Sequence, residues 1–131
     1  SDSISTFLLD AEDYLSNSKS RYSNLGFSNA SDAWNKNRKE ANNLLAKGYS
    51  IRDYLSKNKS YIDEKKYESL VKQVDSITEA VRSYTGAFRD ARKFYAQWET
   101  EEDYLEWKKD TEEYEALKNF DRLRFRIWRK S

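Results

Sequence analysis

The chain has 131 residues, with 24 Lys and Arg against 23 Asp and Glu for a formal net charge of +1, and no Cys, His, Pro or Met. The absent cysteines and histidines exclude disulfide frameworks, thiolate chemistry, iron–sulfur clusters and cysteine or histidine zinc sites. They also remove the commonest general base and metal ligand, so the composition points to a structural or binding protein, not an enzyme, with no cofactor. Charged residues make up 36% of the chain and its mean hydropathy is −1.08, so nothing approaches the run of about 18 apolar residues that spans a bilayer. Ile4–Leu9 is too short for a signal peptide and runs into Asp10, Glu12 and Asp13; Ser1 reads as the residue left after initiator removal. Four Trp, ten Tyr and six Phe argue against disorder, since each can bury about 150–250 Å².

Apolar residues recur at three and four almost throughout, and the three glycines Gly26, Gly48 and Gly86 are nearly the only helix breakers. Ile4, Phe7, Leu8, Ala11, Tyr14 and Leu15 form one stripe and predict a helix near residues 3–16. Alone it is marginal, so it must dock. Residues 16–31, SNSKSRYSNLGFSNAS, hold six Ser, three Asn and Gly26 and read as a flexible or extended arm with Tyr22, Leu25 and Phe27 as anchors. Ser31 and Asp32 read as an N-cap. The helix they open runs to about residue 56 on a stripe of Trp34, Ala41, Leu44, Leu45, Gly48, Ile51, Tyr54 and Leu55. KNKS at 57–60 is a polar turn, with Ser60 and Asp63 in capping-box positions.

The clearest signal follows. Tyr67, Val74, Val81, Phe88 and Tyr95 fall seven apart, and Leu70, Ile77, Tyr84, Ala91 and Trp98 form a second row. They predict a helix over 61–98, roughly 55 Å long unless Thr85-Gly86 divides it. Thr100, followed by Glu101, Glu102 and Asp103, caps a last helix over 101–129, with Asn119 as a candidate break. Residues 122–130, RLRFRIWRK, also alternate like a strand, but no second strand exists to pair with it. The expectation is an all-α, antiparallel helical bundle of the four-helix type with an N-terminal helical arm. It divides into residues 1–59 (first helix, linker and basic helical arm) and 60–131 (the C-terminal bundle portion).

Near-neutrality hides a segregated distribution. Between Lys19 and Lys59 lie nine bases, Lys19, Arg21, Lys36, Arg38, Lys39, Lys47, Arg52, Lys57 and Lys59, opposed only by Asp32, Glu40 and Asp53. With Ser, Asn and Tyr between them they suit a phosphate-backbone surface; a solvated helix face is the plainer reading. Nine acids between Glu99 and Glu115 face only Lys108 and Lys109. Without His they lack the Glu-x-x-His pairs of di-iron bundles, and no EF-hand loop is present, so no metal site is expected. Residues 122–130 then carry five bases and no acid. Either the final helix tucks Phe120, Leu123 and Ile127 into the core, or Arg122, Arg124, Phe125, Arg126, Trp128 and Arg129 form a subunit interface. Phe125 and Trp128 cannot share a stripe with Leu123 and Ile127, which favours them for an intermolecular contact.

A Tyr-rich helical chain of this size, with the Ser/Asn stretch at 16–31 and the basic helix WNKNRKEANNLLAKGYSIRDYLSKNK at 34–59 ahead of a bundle from Tyr61 to Trp128, resembles the major capsid proteins of filamentous archaeal viruses of the lipothrixvirus type. The resemblance covers most of the chain and rests on organisation. It implies an N-terminal arm wrapped on double-stranded DNA, an outward bundle, pairing with a related second capsid subunit, contact with envelope lipid, and a place in the virion after assembly in the host cytoplasm. It would put the Lys19–Lys59 bases on phosphates and the C-terminal charges between subunits, with no small-molecule substrate. The resulting expectation is a structural nucleoprotein that packages DNA in a helical filament without sequence preference. The rival is a small protein-binding module, of inhibitor or immunity type, docking through its acidic 99–115 face.

Overall fold

Helix α1 does not stop where its aliphatic stripe stops. It spans Asp2–Ser23, and α2 (Ala30–Lys57), a 3-10 turn (Lys59–Tyr61), α3 (Glu64–Tyr95) and α4 (Glu101–Lys130) follow. This computed structural model describes the backbone of residues 2–130 and the side chains of residues 3–113 and 115–117. Among them there is no strand, and the protein is an all-α helical bundle. The chain forms two compact units, Ser1–Phe94 and Tyr95–Ser131. The division anticipated after residue 59 falls inside the first unit, because α1 and α2 share a core with α3.

That core joins Ile4, Phe7, Ala11 and Tyr14 of α1, Ala41, Leu44 and Leu55 of α2, and Val74 and Val81 of α3. Its register can be read from contacts. Ser18 of α1 meets Asn37 of α2, and Phe7 lies against Gly48, so α1 and α2 are antiparallel. Arg52 of α2 meets Asp75 of α3, and Gly48 meets Thr78, so α2 and α3 are antiparallel as well. Tyr14 meets Thr85 and Tyr22 packs edge-on against Phe88, which makes α1 and α3 parallel neighbours. A Cβ on Gly48 would lie 3.1 Å from Thr78 Oγ1 and 3.2 Å from Phe7 Cζ; the missing side chain is what lets three helices close together there.

Residues 16–31 are not an extended arm. The core period of α1 continues through Ser18, which is fully buried and donates to Asn37 Oδ1 at 3.2 Å. Asn37, also fully buried, donates in turn to Ala33 O at 2.7 Å. Each polar group has a partner, so the pair enters the core without the penalty of an unsatisfied donor. Three others end the helix and shape the turn: Ser23 Oγ and Asn24 Nδ2 donate to Ser20 O, while Asn29 accepts from Gly26 N and donates to Asn24 O. These residue types compete for backbone bonds, and here they build a tight turn at 24–29.

Caps shift accordingly. Helix α2 starts at Ala30 with Asn29 as its N-cap, not Ser31, and Asp32 lies in its first turn. Asp63, not Ser60, caps α3, accepting from Lys66 N at 3.2 Å, because Lys59–Tyr61 forms the 3-10 turn. Tyr54, expected in the α2 stripe, is 58% exposed. Helix α3 runs through Gly86 unbroken and ends at Tyr95. Thr100 caps α4 as expected, accepting from Asp103 N at 3.1 Å. In the second unit Tyr95, Trp98, Tyr104 and Trp107 form one aromatic cluster, with ring centroids 5.3 Å apart for Tyr95 and Tyr104, 5.1 Å for Trp98 and Tyr104, and 4.8 Å for Trp98 and Trp107.

Candidate functional site

The nine bases of the Lys19–Lys59 run do not form one surface. Helix α2 separates them into two groups at opposite ends of the first unit. Lys36, Arg38 and Lys39 lie in its first turns, and Arg52 and Lys57 in its last. The distal group is committed to neighbours: Arg52 Nε donates to Asp75 at 2.8 Å, Lys57 pairs with Asp53 at 2.9 Å, and Lys59 sits over the Tyr67 ring at 5.3 Å. Lys47 lies between the groups, exposed beside a groove of about 600 Å³ whose lining includes Phe7, Asp10 and Ile51.

At the other end, the α1–α2 register brings Lys19 and Arg21 level with the first turns of α2. The α2–α3 and α1–α3 registers bring up the last turns of α3, which carry Arg89, Arg92 and Lys93. Residues 15–41 and 84–94 thus place eight bases at one end of the bundle against Asp32, Glu40 and Asp90, while the rest of residues 1–94 hold eight bases against ten acids. The sequence run missed Arg89, Arg92 and Lys93, more than fifty positions from Arg38, because their neighbourhood is set by helix register. The only local signal was that α3 ends in bases.

Two of the eight are bound internally. Arg21 Nη1 donates to Asn37 Oδ1 at 3.2 Å and reaches Glu40 at 3.4 Å, clamping α1 to α2. Arg89 pairs with the adjacent Asp90. Lys19, Lys36, Arg38, Lys39, Arg92 and Lys93 are exposed with no ion-pair partner among the described residues. Part of this charge serves the fold, since α1 and α3 both end here and cations offset the negative ends of their dipoles. The remainder is available to an anion in solvent. Arg82, nearer the middle of α3, hydrogen-bonds Tyr49 Oη and is pushed above the usual guanidinium value, chiefly by that bond and the accompanying charge interaction with Tyr49, with a smaller contribution from Glu79.

Arg122, Arg124, Phe125, Arg126, Trp128 and Arg129 belong to α4 by backbone, but their side chains lie outside the described residues. The acidic side chains of 99–115 are exposed. Among the described residues no group of three carboxylates is placed to hold a metal ion, and no helix is long and apolar enough to cross a membrane. No family model matches the chain, and no curated protein or solved structure matches it.

Proposed function

We propose that the protein is a non-enzymatic structural nucleoprotein that binds double-stranded DNA through its phosphates and coats it by self-association. The observation that carries this reading is the convergence of six exposed, unpaired Lys and Arg side chains from three helices at one end of the first unit. Scattered cations on one helix are ordinary surface; cations converging from three helix ends, while the rest of residues 1–94 is nearly balanced at eight bases against ten acids, make a directed positive field. Asn35, Asn42 and Asn43 on the exposed side of α2 add neutral donors for phosphate oxygens. Among the described residues no element offers side chains in a pattern suited to reading base edges, so binding without sequence preference is the form this chemistry takes.

The resemblance to filamentous-virus coat proteins extends the proposal to a capsid, located in the virion, with a related second subunit and envelope lipid as further partners. In that setting the contact is made by the folded end of the bundle. A low affinity per copy is offset when many copies act along one duplex.

The test is the salt dependence of binding to mixed-sequence linear duplex. The logarithm of affinity should fall linearly with the logarithm of salt, by about 0.9 per phosphate contact, and be equal for unrelated sequences. A chain that ignores duplex at low salt refutes the proposal. A second reading has its own observation: the exposed acidic side of α4, with Leu105 52% and Leu117 64% exposed, suits a basic protein partner. A stable monomer indifferent to DNA would favour it.

A further inference from the structure

Helices α1 and α2 leave open between them a groove of about 600 Å³, lined by side chains of these two helices alone. Its floor includes the buried Phe7 and the half-buried Ile51, and Asp10 of α1 and Lys47 of α2 stand on its opposite walls. Neither charge has an ion-pair partner among the described residues. The two walls differ in size and in sign. The α1 wall presents the small side chains of Ser3 and Thr6, and α1 holds four acids against Lys19 and Arg21. The α2 wall continues to Tyr54, 58% exposed and placed three residues beyond Ile51 and seven beyond Lys47. Helix α2 holds six bases against Asp32, Glu40 and Asp53.

We propose that this groove is covered by the same groove of a second copy of the chain, related by a two-fold axis that runs along it. That symmetry lays α1 of each copy over α2 of the other, so the acidic helix meets the basic one twice. A two-fold running across the groove would instead lay acidic α1 over acidic α1.

The register decides which side chains meet. Phe7 with Gly48 and Ser18 with Asn37, the contacts that set it, both bring level residues whose numbers sum to 55. A two-fold parallel to the helices preserves those levels between copies. Asp10 then lies two residues, about 3 Å along the axis, from Lys47 of the second copy, within reach of a lysine side chain. Tyr54 lies at the same offset from Ser3 of the second copy, whose small side chain leaves room for the ring. Each pair occurs twice, and because one patch serves both copies the assembly closes at two. The dimer supplies a self-association step for the proposed coat and stands without affinity for DNA. With levels preserved, it also sets the two basic ends side by side, which joins their fields toward one duplex.

The test uses the full chain. Sedimentation equilibrium should give twice 15.6 kDa, with dissociation increasing as salt is raised. Because the chain has no Cys, Thr6→Cys and Ser50→Cys each introduce a single thiol. A mixture of the two variants should form a disulfide on mild oxidation, since Thr6 comes level with residue 49 of the second copy. Either variant alone should not: like helices of the two copies lie diagonally opposed, about 11–14 Å apart for neighbours spaced at 8–10 Å, beyond disulfide reach. Asp10→Lys and Lys47→Asp should each weaken the dimer about tenfold, and the double variant should restore it. All four positions are exposed, so the helical content should not change. A chain that stays monomeric leaves the groove to another molecule and overturns the proposal. A mixture that fails to cross-link, a single thiol variant that cross-links with itself, or a double variant no tighter than the singles overturns it too. A monomer that still binds duplex overturns this dimer alone, and a dimer without affinity for duplex overturns the nucleic-acid reading alone.

Discussion

If the fold defines the phosphate surface, bases should matter by their place in the bundle and not by their place in the sequence. Three variants separate the alternatives: Lys36→Gln/Arg38→Gln/Lys39→Gln, Arg92→Gln/Lys93→Gln, and Lys57→Gln/Lys59→Gln. The first two alter the basic end. The third alters the far end of α2, 19 residues and about 29 Å from Arg38, well beyond the Debye length of about 10 Å near 0.1 M salt. At about 0.9 per lost phosphate contact, the slope of log affinity against log salt should flatten by up to about 2.7 for the triple variant and about 1.8 for the Arg92/Lys93 pair. The Lys57/Lys59 pair should leave it unchanged. Gel retardation on a mixed-sequence duplex between about 50 and 200 mM salt reads all three, and the exposed positions of these side chains keep the helical content the same. The reasoning fails if Lys57→Gln/Lys59→Gln flattens the slope as much as Arg92→Gln/Lys93→Gln. That result would assign the surface to the linear run of bases.

Other outcomes concern the scaffold and are read by denaturant or thermal unfolding. Phe88→Ala removes a fully buried ring and its edge contact with Tyr22, and should cost about 3–5 kcal/mol. Asn37→Ala strips Ser18 and Arg21 of their shared acceptor and should cost about 1–3 kcal/mol; adding Ser18→Ala should recover part of it, because the stranded donor is then gone. The two helical glycines should respond oppositely: Gly48→Val drives new atoms into Thr78 and Phe7 and should lose about 1–3 kcal/mol, whereas Gly86→Ala meets only the end of Arg89 at 3.7 Å and should gain up to about 1 kcal/mol.

Periodicity was enough to read the helices and much of what they bury. Val74, Val81 and Phe88 fall seven apart and are all buried, and Thr100 caps α4 because its hydroxyl accepts from the Asp103 N–H left unpaired in the first turn. The Ser/Asn stretch was illegible for a physical reason. Ser18 and Asn37 look like linker and surface residues until each supplies the other's hydrogen bond, a relation across 19 positions that composition does not encode. The candidate site was half legible: Lys36, Arg38 and Lys39 stood out as a local charge run. Their grouping with Arg92 and Lys93, and separation from Lys57 and Lys59, depends on helix register. That register is set by close contacts such as Phe7 with Gly48 and Tyr14 with Thr85.

The turn at 24–29 bears on how this molecule could hold a long polymer. Six residues reach at most about 20 Å when fully extended, and here they are folded on themselves by Asn24 and Asn29. Helix α1 therefore cannot swing out as a strap while it stays in place. Releasing it would expose Ile4, Phe7, Ala11 and Tyr14, a loss on the order of 6 kcal/mol and comparable with the whole net stability of a small domain. Clasping a duplex with the N-terminal segment would thus be a form of partial melting, and it would leave a different signature. Docking at a preformed end raises the unfolding temperature of the bundle as DNA is added, whereas clasping by α1 would unmask its amide protons to solvent exchange.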